Sequence, residues 1–404
     1  MKTLKKIKAH SLTGRITSDL MQKAWKAVKR NRGRAGLDKV SIQMFERNLE
    51  NNLTALMKDL KHRTYEPIPL LRKWIPKGPE RNAKLRPLGI PAVRCRIAQE
   101  VIRQLINPYF ERIFHKHSYG FRPGKNCHQA VATVHKFLRN GCSYVVDADI
   151  KGFFDNIPHE LIMKAVSSEI ADGNILTLIE KFLRAGVMED GEFHPTTKGT
   201  PQGGVISPLL ANAVLNHLDQ RMEENGYRFS RYADDFVVLT NTRAQAESAL
   251  TFITHVIEKE LGLELSKEKT HISSAGTGFE FLGFRITRRY HRMRQKSLER
   301  FKTKIRMATV RSQNLDRKQM ERLDQVIRGT VNYFTTPYTC RGIWSQLDRW
   351  IRKRLRCMKK KRISRNDNLR ITKRKLDRLG FIGCQKAFET AWKKACCSHP
   401  WVTA

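Results

Sequence analysis

Apolar residues recur at helical spacing through most of the chain, which predicts an architecture dominated by amphipathic helices. Leu20, Ala24, Trp25 and Val28 mark one such stripe near the start, and residues 42–60 carry a second. After residue 286 three further stripes follow one another, each with Lys and Arg on the opposite face. Such stripes predict a small helical bundle with a basic exterior.

Shorter β-prone runs interrupt the helical pattern in the first two thirds of the chain. Residues 70–76 and 84–90 predict a hairpin with a long polar loop, and residues 144–150 predict a strand. Residues 279–286 alternate apolar and polar side chains and predict one further strand. Strands that alternate with helices, followed by helices alone, predict an α+β domain and then a helical domain.

Two adjacent acids, Asp234 and Asp235, stand between apolar runs within residues 229–239. The flanking residues favour strands and Asp favours turns, so we predict a β-hairpin with both carboxylates at its tip. Taken alone, an Asp-Asp pair is more often a solvated surface turn, because loops are commonly polar and exposed. Crowded carboxylates repel each other, and a divalent cation removes that cost.

A third carboxylate comes from the strand at residues 144–150, where Asp147 and Asp149 share one face. If this strand pairs with the hairpin, Asp149 approaches Asp234 and Asp235. Three carboxylates suit Mg²⁺, which prefers oxygen ligands, and two such ions would support in-line nucleotidyl transfer. The basic residues Lys77, Arg86 and Lys269 would add positive charge where the leaving group of a triphosphate develops negative charge.

Positive charge is the strongest feature of the composition. The chain has 77 Lys and Arg against 38 Asp and Glu, for a net charge of +39, which predicts a nucleic-acid partner. Residues 285–404 hold 34 of the basic residues and 8 of the acidic ones. The basic run from Arg352 to Arg362 is compatible with a solvated face or with a nucleic-acid surface. The loop Asn31–Asp38, with Arg32 and Arg34, is compatible with a phosphate-binding loop or a helix-ending turn.

Targeting and redox signals are weak in this sequence. No apolar run reaches the length of a membrane span, and we expect no membrane partner. The eight cysteines include no CxxC pair, which predicts reduced thiols and a cytoplasmic location.

Seven sequence blocks stand in a characteristic order: residues 75–91, Tyr119–Gly124, Val146–Asp155, Gly199–Asn212, Arg231–Asp235, Phe281–Phe284 and Arg328–Phe334. Together these blocks resemble those of the group II intron-encoded reverse transcriptases, also called maturases. The resemblance implies a right-hand polymerase of the α+β class, with fingers and a palm built on an antiparallel sheet. A helical thumb and maturase bundle would follow.

The resemblance also assigns roles. Asp149, Asp234 and Asp235 would be catalytic, with two Mg²⁺ ions on Asp149, Ile150 and Asp234. Phe154 would exclude a ribose 2′-hydroxyl. The substrate-binding set would be Lys77, Arg86, Ile150, Phe154, Gln202 and Lys269. The nucleic-acid-binding set would be Arg32, Arg34, Arg122, Arg352, Arg354, Lys359, Lys360 and Lys361.

Four segments are predicted: a basic helical extension at 1–60, fingers and palm at 61–286, thumb and maturase helices at 287–362, and a short basic DNA-binding-like tail at 363–404. The expected partners are an intron RNA and RNA template, a DNA target or primer, and dNTPs. The sequence leaves open whether the protein forms a homodimer. Many relatives end in an HNH endonuclease, whose Cys and His spacing is not matched here. A host-defence reverse transcriptase and a splicing cofactor without polymerase activity are the alternatives.

Overall fold

The computed structural model describes residues 8–76, 78, 85–361 and 366–397. These residues form two compact units. The first comprises residues 8–76 and 85–272, and the second comprises Gly78 and the residues described from Ser273 onward. The division lies earlier than the predicted boundary after residue 286, because the strands just before that boundary pair within the second unit.

The first unit alternates helices and strands. In chain order it contains α1 (Ser18–Arg30), α2 (Ile42–Glu46), α3 (Leu49–His62), β1 (Leu70–Pro76), β2 (Leu85–Ile90), α4 (Val93–Glu111), α5 (Cys127–Arg139), β3 (Tyr144–Asp149), α6 (Phe153–Asn156), α7 (His159–Ser167), α8 (Gly173–Arg184), β4 (Val187–Glu189), β5 (Glu192–His194), α9 (Ser207–Glu224), β6 (Arg228–Tyr232), β7 (Asp235–Thr240) and α10 (Arg243–His255). A 3₁₀ turn at Thr13–Arg15 precedes α1, and a π-helical turn at Val256–Glu260 continues α10. Strand β8 (His271–Ser274) spans the boundary at which the first unit ends and the second begins.

The sheet that carries the acids has the strand order β6-β7-β3-β8. Strands β6 and β7 form the predicted hairpin, and β7 also pairs antiparallel with β3. The central strands are apolar and buried: Val145, Val146, Val237 and Val238 have no exposed surface. The predicted pairing of the three strands in one sheet is therefore confirmed.

A second sheet, of order β2-β1-β4-β5, is built on the predicted β1–β2 hairpin. Strand β4 adds to β1 in parallel, through Leu70 with Val187 and Leu71 with Met188. The loop that joins β1 to β2 lies largely outside the described residues, and Lys77 is among those not described.

The N-terminal helices share the core of the first unit, although the sequence sets residues 1–60 apart as an extension. Trp25, Leu56 and Leu60 are buried in the same cluster as Ile97 and Val101 of α4. One helix was predicted over residues 42–60, whereas the chain breaks at Arg47–Asn48 and resumes as α3. Asn48 has φ −127° and ψ 47°, which lies outside the helical region.

The second unit is a three-stranded sheet followed by helices. It contains β9 (Phe279–Phe281), β10 (Phe284–Ile286), β11 (His291–Met293), α11 (Gln295–Ala308), α12 (Arg317–Phe334), α13 (Gly342–Lys360), α14 (Asp367–Arg370), α15 (Lys373–Arg378) and α16 (Cys384–Cys397). The sheet order is β11-β10-β9. None of the described helices is long and apolar enough to cross a membrane.

The single strand predicted at residues 279–286 is wrong, because Leu282 and Gly283 form a turn between two antiparallel strands. Both have positive φ, 49° and 80°. Buried Phe279 and Phe281 have odd numbers, whereas buried Phe284 and Ile286 have even numbers. A continuous strand would place these two pairs on opposite faces, and the turn places all four in the core.

The described end of the chain packs on the helical bundle. Phe388 of α16 stacks on Trp344 of α13, with ring centroids 5.8 Å apart. The buried carboxylate of Asp348 on α13 accepts hydrogen bonds from the backbone N–H groups of Cys384 and Gln385, which begin α16. Residues 366–397, set apart in the sequence as a tail, are therefore part of the second unit.

Candidate active site

Three carboxylates meet at one end of the β6-β7-β3-β8 sheet. The register of β3 and β7 makes Asp149 and Asp235 direct partners across the two strands. Asp234 lies in the two-residue turn between β6 and β7, directly before Asp235. In chain order Asp149 ends β3 and Asp235 begins β7, so strand pairing alone brings together acids that lie 86 positions apart.

The turn is held by a buried arginine. Ala233 adopts φ 59°, a left-handed conformation that is unfavourable for a residue with a side chain. The Nη1 atom of Arg231 donates to the carbonyl of Ala233 at 2.9 Å and to Oδ1 of Asn212 at 2.8 Å. Its Nε donates to Oδ1 of Asp219 at 2.7 Å, and both charged side chains are fully buried. This pairing satisfies the buried charges and fixes the backbone of the turn.

The loop at Tyr119–Gly124 packs directly on the same turn. Its chain runs beside β6, where Tyr119 N–H donates to the carbonyl of Arg231 at 2.9 Å. Asn212 Nδ2 donates to the carbonyl of Gly120 at 2.8 Å. A Cβ on Gly120 would lie 2.3 Å from the backbone nitrogen of Ala233, a distance that only glycine avoids.

Arg122 fixes this loop from inside. The side chain is only 5% exposed and forms an ion pair with Glu111. Its Nη1 donates to the carbonyls of His115 and Ser118 at 2.6 and 2.8 Å. Arg122 therefore uses its donors within the protein, and its contact with nucleic acid stays a prediction.

Lys269 lies against the acids. Its Nζ is 2.8 Å from Oδ2 of Asp149. The segment that carries it wraps around the end of β3: Ser266 N–H donates to the carbonyl of Asp149 at 2.8 Å, and Leu265 forms a β-bridge with Ile150. The side chain of Ile150 is buried, so only its main chain could face a ligand. The structure thus places Asp149, Ile150 and Lys269 at one point.

Burial and the neighbouring charge of Asp149 raise the pKa of Asp234 above its ordinary value. Two neighbouring carboxylates repel each other when both are ionised, and a bound cation removes this repulsion. Within the described part of the chain, no three His, Cys, Asp or Glu side chains are already grouped as a metal cage. An open set of carboxylates fits Mg²⁺, which is commonly held by one or two carboxylates together with substrate phosphates.

The predicted nucleotide-binding residues lie on segments that contact one another. Gln202 Nε2 donates to Oδ2 of Asp155 at 3.3 Å, and Thr200 N–H donates to the carbonyl of Phe154 at 2.7 Å. The carbonyl of Gln202 accepts from the N–H of Gly89, three residues after Arg86 on β2. Phe154 is half-buried and Arg86 is exposed. Lys77, expected beside Arg86, lies outside the described residues.

His159 lies beneath this region. A lone histidine just after the turn at residues 151–158 predicts a surface residue at the start of a helix, and His159 does begin α7. The surface prediction is wrong: the residue is buried, and its Nε2 lies 2.9 Å from the carbonyl of Gly199. Burial lowers the pKa of its imidazole, so this histidine supports the Gly199–Gly204 loop as a neutral side chain.

The predicted nucleic-acid-binding residues fall into two groups. Arg32 and Arg34 are exposed on the loop before α2, and the buried Arg96 of α4 holds this loop by donating to the carbonyl of Arg34. In the second unit Lys359 and Lys360 are exposed at the end of α13. The other three cations have partners within the second unit: Asp348 for Arg352, Thr309 for Arg354, and the carbonyls of Arg311 and Gln313 for Lys361.

A family model described as reverse transcriptase (RNA-dependent DNA polymerase) matches residues 75–286, which include all the acids of the site. The chain belongs to the reverse transcriptase family. A second family model, the group II intron maturase-specific domain, matches residues 298–379. The predicted resemblance and the predicted polymerase fold with a helical maturase region are confirmed. The reverse transcriptase is an RNA-directed DNA polymerase of a family that uses divalent metal ions.

Two relatives illustrate the similarity. Protein YkfC of Escherichia coli (strain K12) is 37% identical over 301 residues, covering 64% of this chain and 78% of YkfC. Group II intron-encoded protein LtrA of Lactococcus lactis subsp. cremoris is 36% identical over 218 residues. That match covers 54% of this chain and 36% of LtrA. A solved telomerase from Candida albicans is 13% identical with a TM-score of 0.44, covering 90% of this chain and 69% of that one.

Sequence reasoning missed the side chains that hold the reverse transcriptase site in place. Asp219 and Asn212 lie on α9, whose sequence predicts a helix rich in Leu and Ala and singles out neither residue. The signal that could have found them is their spacing of seven, which places two polar side chains on one face of the helix. A buried partner for Arg231 could have been sought among such residues.

Proposed function

We propose that this reverse transcriptase extends a DNA primer along an RNA template, using two Mg²⁺ ions at Asp149, Asp234 and Asp235. The main chain of Ile150 would complete the ligand set. The register that pairs Asp149 with Asp235 beside Asp234 supports this assignment more than any other observation. When bound, the ions would activate the primer 3′-hydroxyl and neutralise the departing pyrophosphate.

The residues around the acids would bind and orient the substrates. Arg86 and Lys77 would bind the triphosphate, where a guanidinium and an ammonium both suit phosphate oxygens. Lys269 carries an ammonium group 2.8 Å from Asp149. It would release this carboxylate when the triphosphate arrives and then stabilise the negative charge that develops on pyrophosphate.

Phe154 and Gln202 would shape the sugar pocket. Phe154 follows Asp149 by five residues and lies half-buried at the start of the short helix α6. The backbone of the Gly199–Gly204 loop holds it, because Thr200 donates to its carbonyl. A phenyl ring at this position would exclude a 2′-hydroxyl by its bulk, which would favour dNTPs over ribonucleotides.

The second unit would bind a structured intron RNA and so assist splicing and retrohoming. It carries the maturase-specific match and the densest positive charge of the chain. LtrA is named as a group II intron-encoded protein, and the chain spans 36% of its length. Arg32 and Arg34 would add contacts with the template in the first unit, and a DNA target or primer would be the second partner.

The decisive experiment is primer extension on an RNA template with dNTPs and Mg²⁺, comparing the wild type with Asp149→Asn. We expect DNA synthesis in the wild type and its loss in the variant, with RNA affinity retained. A chelator should stop synthesis, and added Mg²⁺ should restore it. DNA synthesis by Asp149→Asn at the wild-type rate would refute the assignment.

A further inference from the structure

A small notch in the second unit combines an aromatic wall with concentrated positive charge. It encloses about 170 Å³ and is lined by Thr309, Arg311, Trp350, Lys353, Arg354 and Cys357. The lining residues come from the end of α11, the segment after it and the middle of α13. Since one water occupies about 30 Å³ of liquid, the notch has room for a phosphate group with a few waters.

The charges of this notch are not balanced by acids. Among the described residues, no carboxylate lies within 4.0 Å of a charged nitrogen of Arg311, Lys353 or Arg354. Elsewhere in the same unit, exposed arginines do have such partners: Arg317 pairs with Glu321 at 3.3 Å and Arg328 with Asp324 at 2.6 Å. An uncompensated group of cations around a concave surface favours an anion.

Hydrogen bonds hold the notch in shape. Arg354 donates through Nε to Oγ1 of Thr309 at 2.7 Å and through Nη2 to the carbonyl of Thr309 at 3.1 Å. Lys361 donates to the carbonyl of Gln313 at 2.8 Å, which fixes the segment that carries Arg311. Within the described residues these bonds leave Nη1 of Arg354 without a partner, whereas Lys353 and Arg311 are exposed.

Trp350 gives the notch its aromatic wall. The guanidinium of Arg354 lies 5.7 Å from the ring centroid, and that of Arg306 lies 5.8 Å from it. Burial lowers the pKa of Arg354, and the positive charges of Arg306 and Arg311 lower it further. A bound anion would relieve this repulsion, and the indole face could contact the adjoining nucleotide.

We infer that the notch formed by Arg311, Trp350, Lys353 and Arg354 binds one phosphodiester of the RNA held by the second unit, with Trp350 against the neighbouring nucleotide. This inference rests on the proposed RNA binding and identifies a site for it. It differs from general attraction to a basic surface because it requires particular cations. The exposed Arg317 and Arg328, already paired with acids, should contribute little.

The test compares two double variants of the full chain that lose equal charge. Arg311→Gln with Lys353→Gln alters the notch, and Arg317→Gln with Arg328→Gln is the control. Affinity for a labelled RNA hairpin is measured over a range of salt concentrations. If the notch neutralises one phosphate, its variant should show a slope of log K against log salt that is shallower by about 0.7 to 0.9. The control slope should stay near the wild-type value.

Trp350 provides an independent readout. The difference in fluorescence between the wild type and Trp350→Phe isolates the signal of this residue. We expect RNA to change that signal in the wild type and not in the notch variant. Equal slopes in the two double variants would overturn the inference, as would a Trp350 signal that RNA does not alter. Thermal melting shows whether each variant is folded.

The outcomes also separate the notch from the proposed function. If the wild type binds and copies RNA while the notch variant behaves like the control, only the notch is refuted. If the wild type binds no RNA hairpin at all, the proposed RNA binding and the notch fail together. A matched DNA hairpin completes the test: a slope change with DNA and none with RNA would also refute the inference.

Discussion

The Ala233–Asp234 turn of the first unit and the notch of the second unit use arginine in opposite ways. Arg231 is fully buried and forms an ion pair with Asp219. It also donates hydrogen bonds to the carbonyl of Ala233 in the turn and to the side chain of Asn212. Arg354 is half-buried, has no carboxylate partner among the described residues and is surrounded by other cations. The paired Arg231 fixes the position of the turn, which a reacting site needs because its groups must be held in a defined geometry. The unpaired Arg354 leaves positive charge available, which a surface needs in order to bind a polyanion.

This contrast gives the two regions different sensitivities. A site built on short, directional hydrogen bonds should fail sharply when one of them is removed. A surface that binds phosphates through several cations should weaken gradually, by one phosphate contact at a time.

The acids should show the largest effect. Asp234→Ala combined with Asp235→Ala should reduce primer extension by about a thousandfold or more, since metal ions contribute several kcal/mol to such reactions. RNA affinity should remain near the wild-type value, because the basic surface is untouched. Of the single changes, Asp234→Asn should damage activity more than Asp235→Asn. Equal reductions in activity at the two positions would contradict that ranking.

Asp219 tests the buried support of the turn. Asp219→Asn leaves the charge of Arg231 buried and unpaired, and should lower the free energy of unfolding by about 3–5 kcal/mol. Urea denaturation measures this decrease. Glu224→Gln, on the same helix, is the matched control, because Glu224 pairs with Arg221 in an exposed position. The control should change stability by less than about 1 kcal/mol; similar decreases in both variants would argue against a positioning role.

Phe154 tests sugar selection. Phe154→Val should remove the bulk that excludes a 2′-hydroxyl and should improve incorporation of ribonucleotides relative to dNTPs by about 10-fold or more. Single-nucleotide incorporation with each substrate measures the ratio. Phe153→Leu is the neighbouring control, since Phe153 is buried in the core. An unchanged ratio in Phe154→Val would exclude the proposed gate.

The carboxylate of Asp234 should lower the stability of the folded protein at neutral pH, although the proposed activity requires it. A raised carboxyl pKa means that the folded state binds this proton more tightly than the unfolded chain does. The associated stability is present below the unfolded pKa and is lost as pH rises through the folded pKa. Without metal, Asp234→Asn should therefore be more stable than the wild type at neutral pH, and each pKa unit corresponds to about 1.4 kcal/mol.

Added Mg²⁺ should stabilise the wild type more than this variant. Thermal melting with and without the ion, at neutral and acidic pH, measures both effects. If Asp234→Asn were less stable than the wild type at neutral pH without metal, the ionised carboxylate of Asp234 would not be destabilising the folded state.

The basic surface should show the smallest effect. Lys359→Gln with Lys360→Gln should reduce the salt dependence of RNA binding by about 0.7 to 0.9 for each phosphate that these lysines neutralise. Primer extension on a short template should change little. A large decrease in activity would mean that these lysines do more than supply charge.

Much of the fold could be predicted from local patterns. The hairpin around Asp234 and the strand ending at Asp149 follow from β-prone residues and alternation, and the motif blocks identified the family before any geometry. The failures were also local. The strand at residues 279–286 was mistaken because the apolar pattern shifts by one residue at Leu282–Gly283, which marks a turn. His159 was assigned to the surface because a lone histidine gives no signal of the carbonyl it contacts.

The family, the three acids of the site and the sign and location of the net charge can all be predicted from the sequence, because each is a property of single residues or of short motifs. Which arginines form bonds within the protein, and which remain for a ligand, depends on the folded structure. Arg122 and Arg231 look no different in sequence from Arg311, yet the first two are buried against Glu111 and Asp219. The pairing of a charge depends on residues distant in the chain, and only folding brings them together.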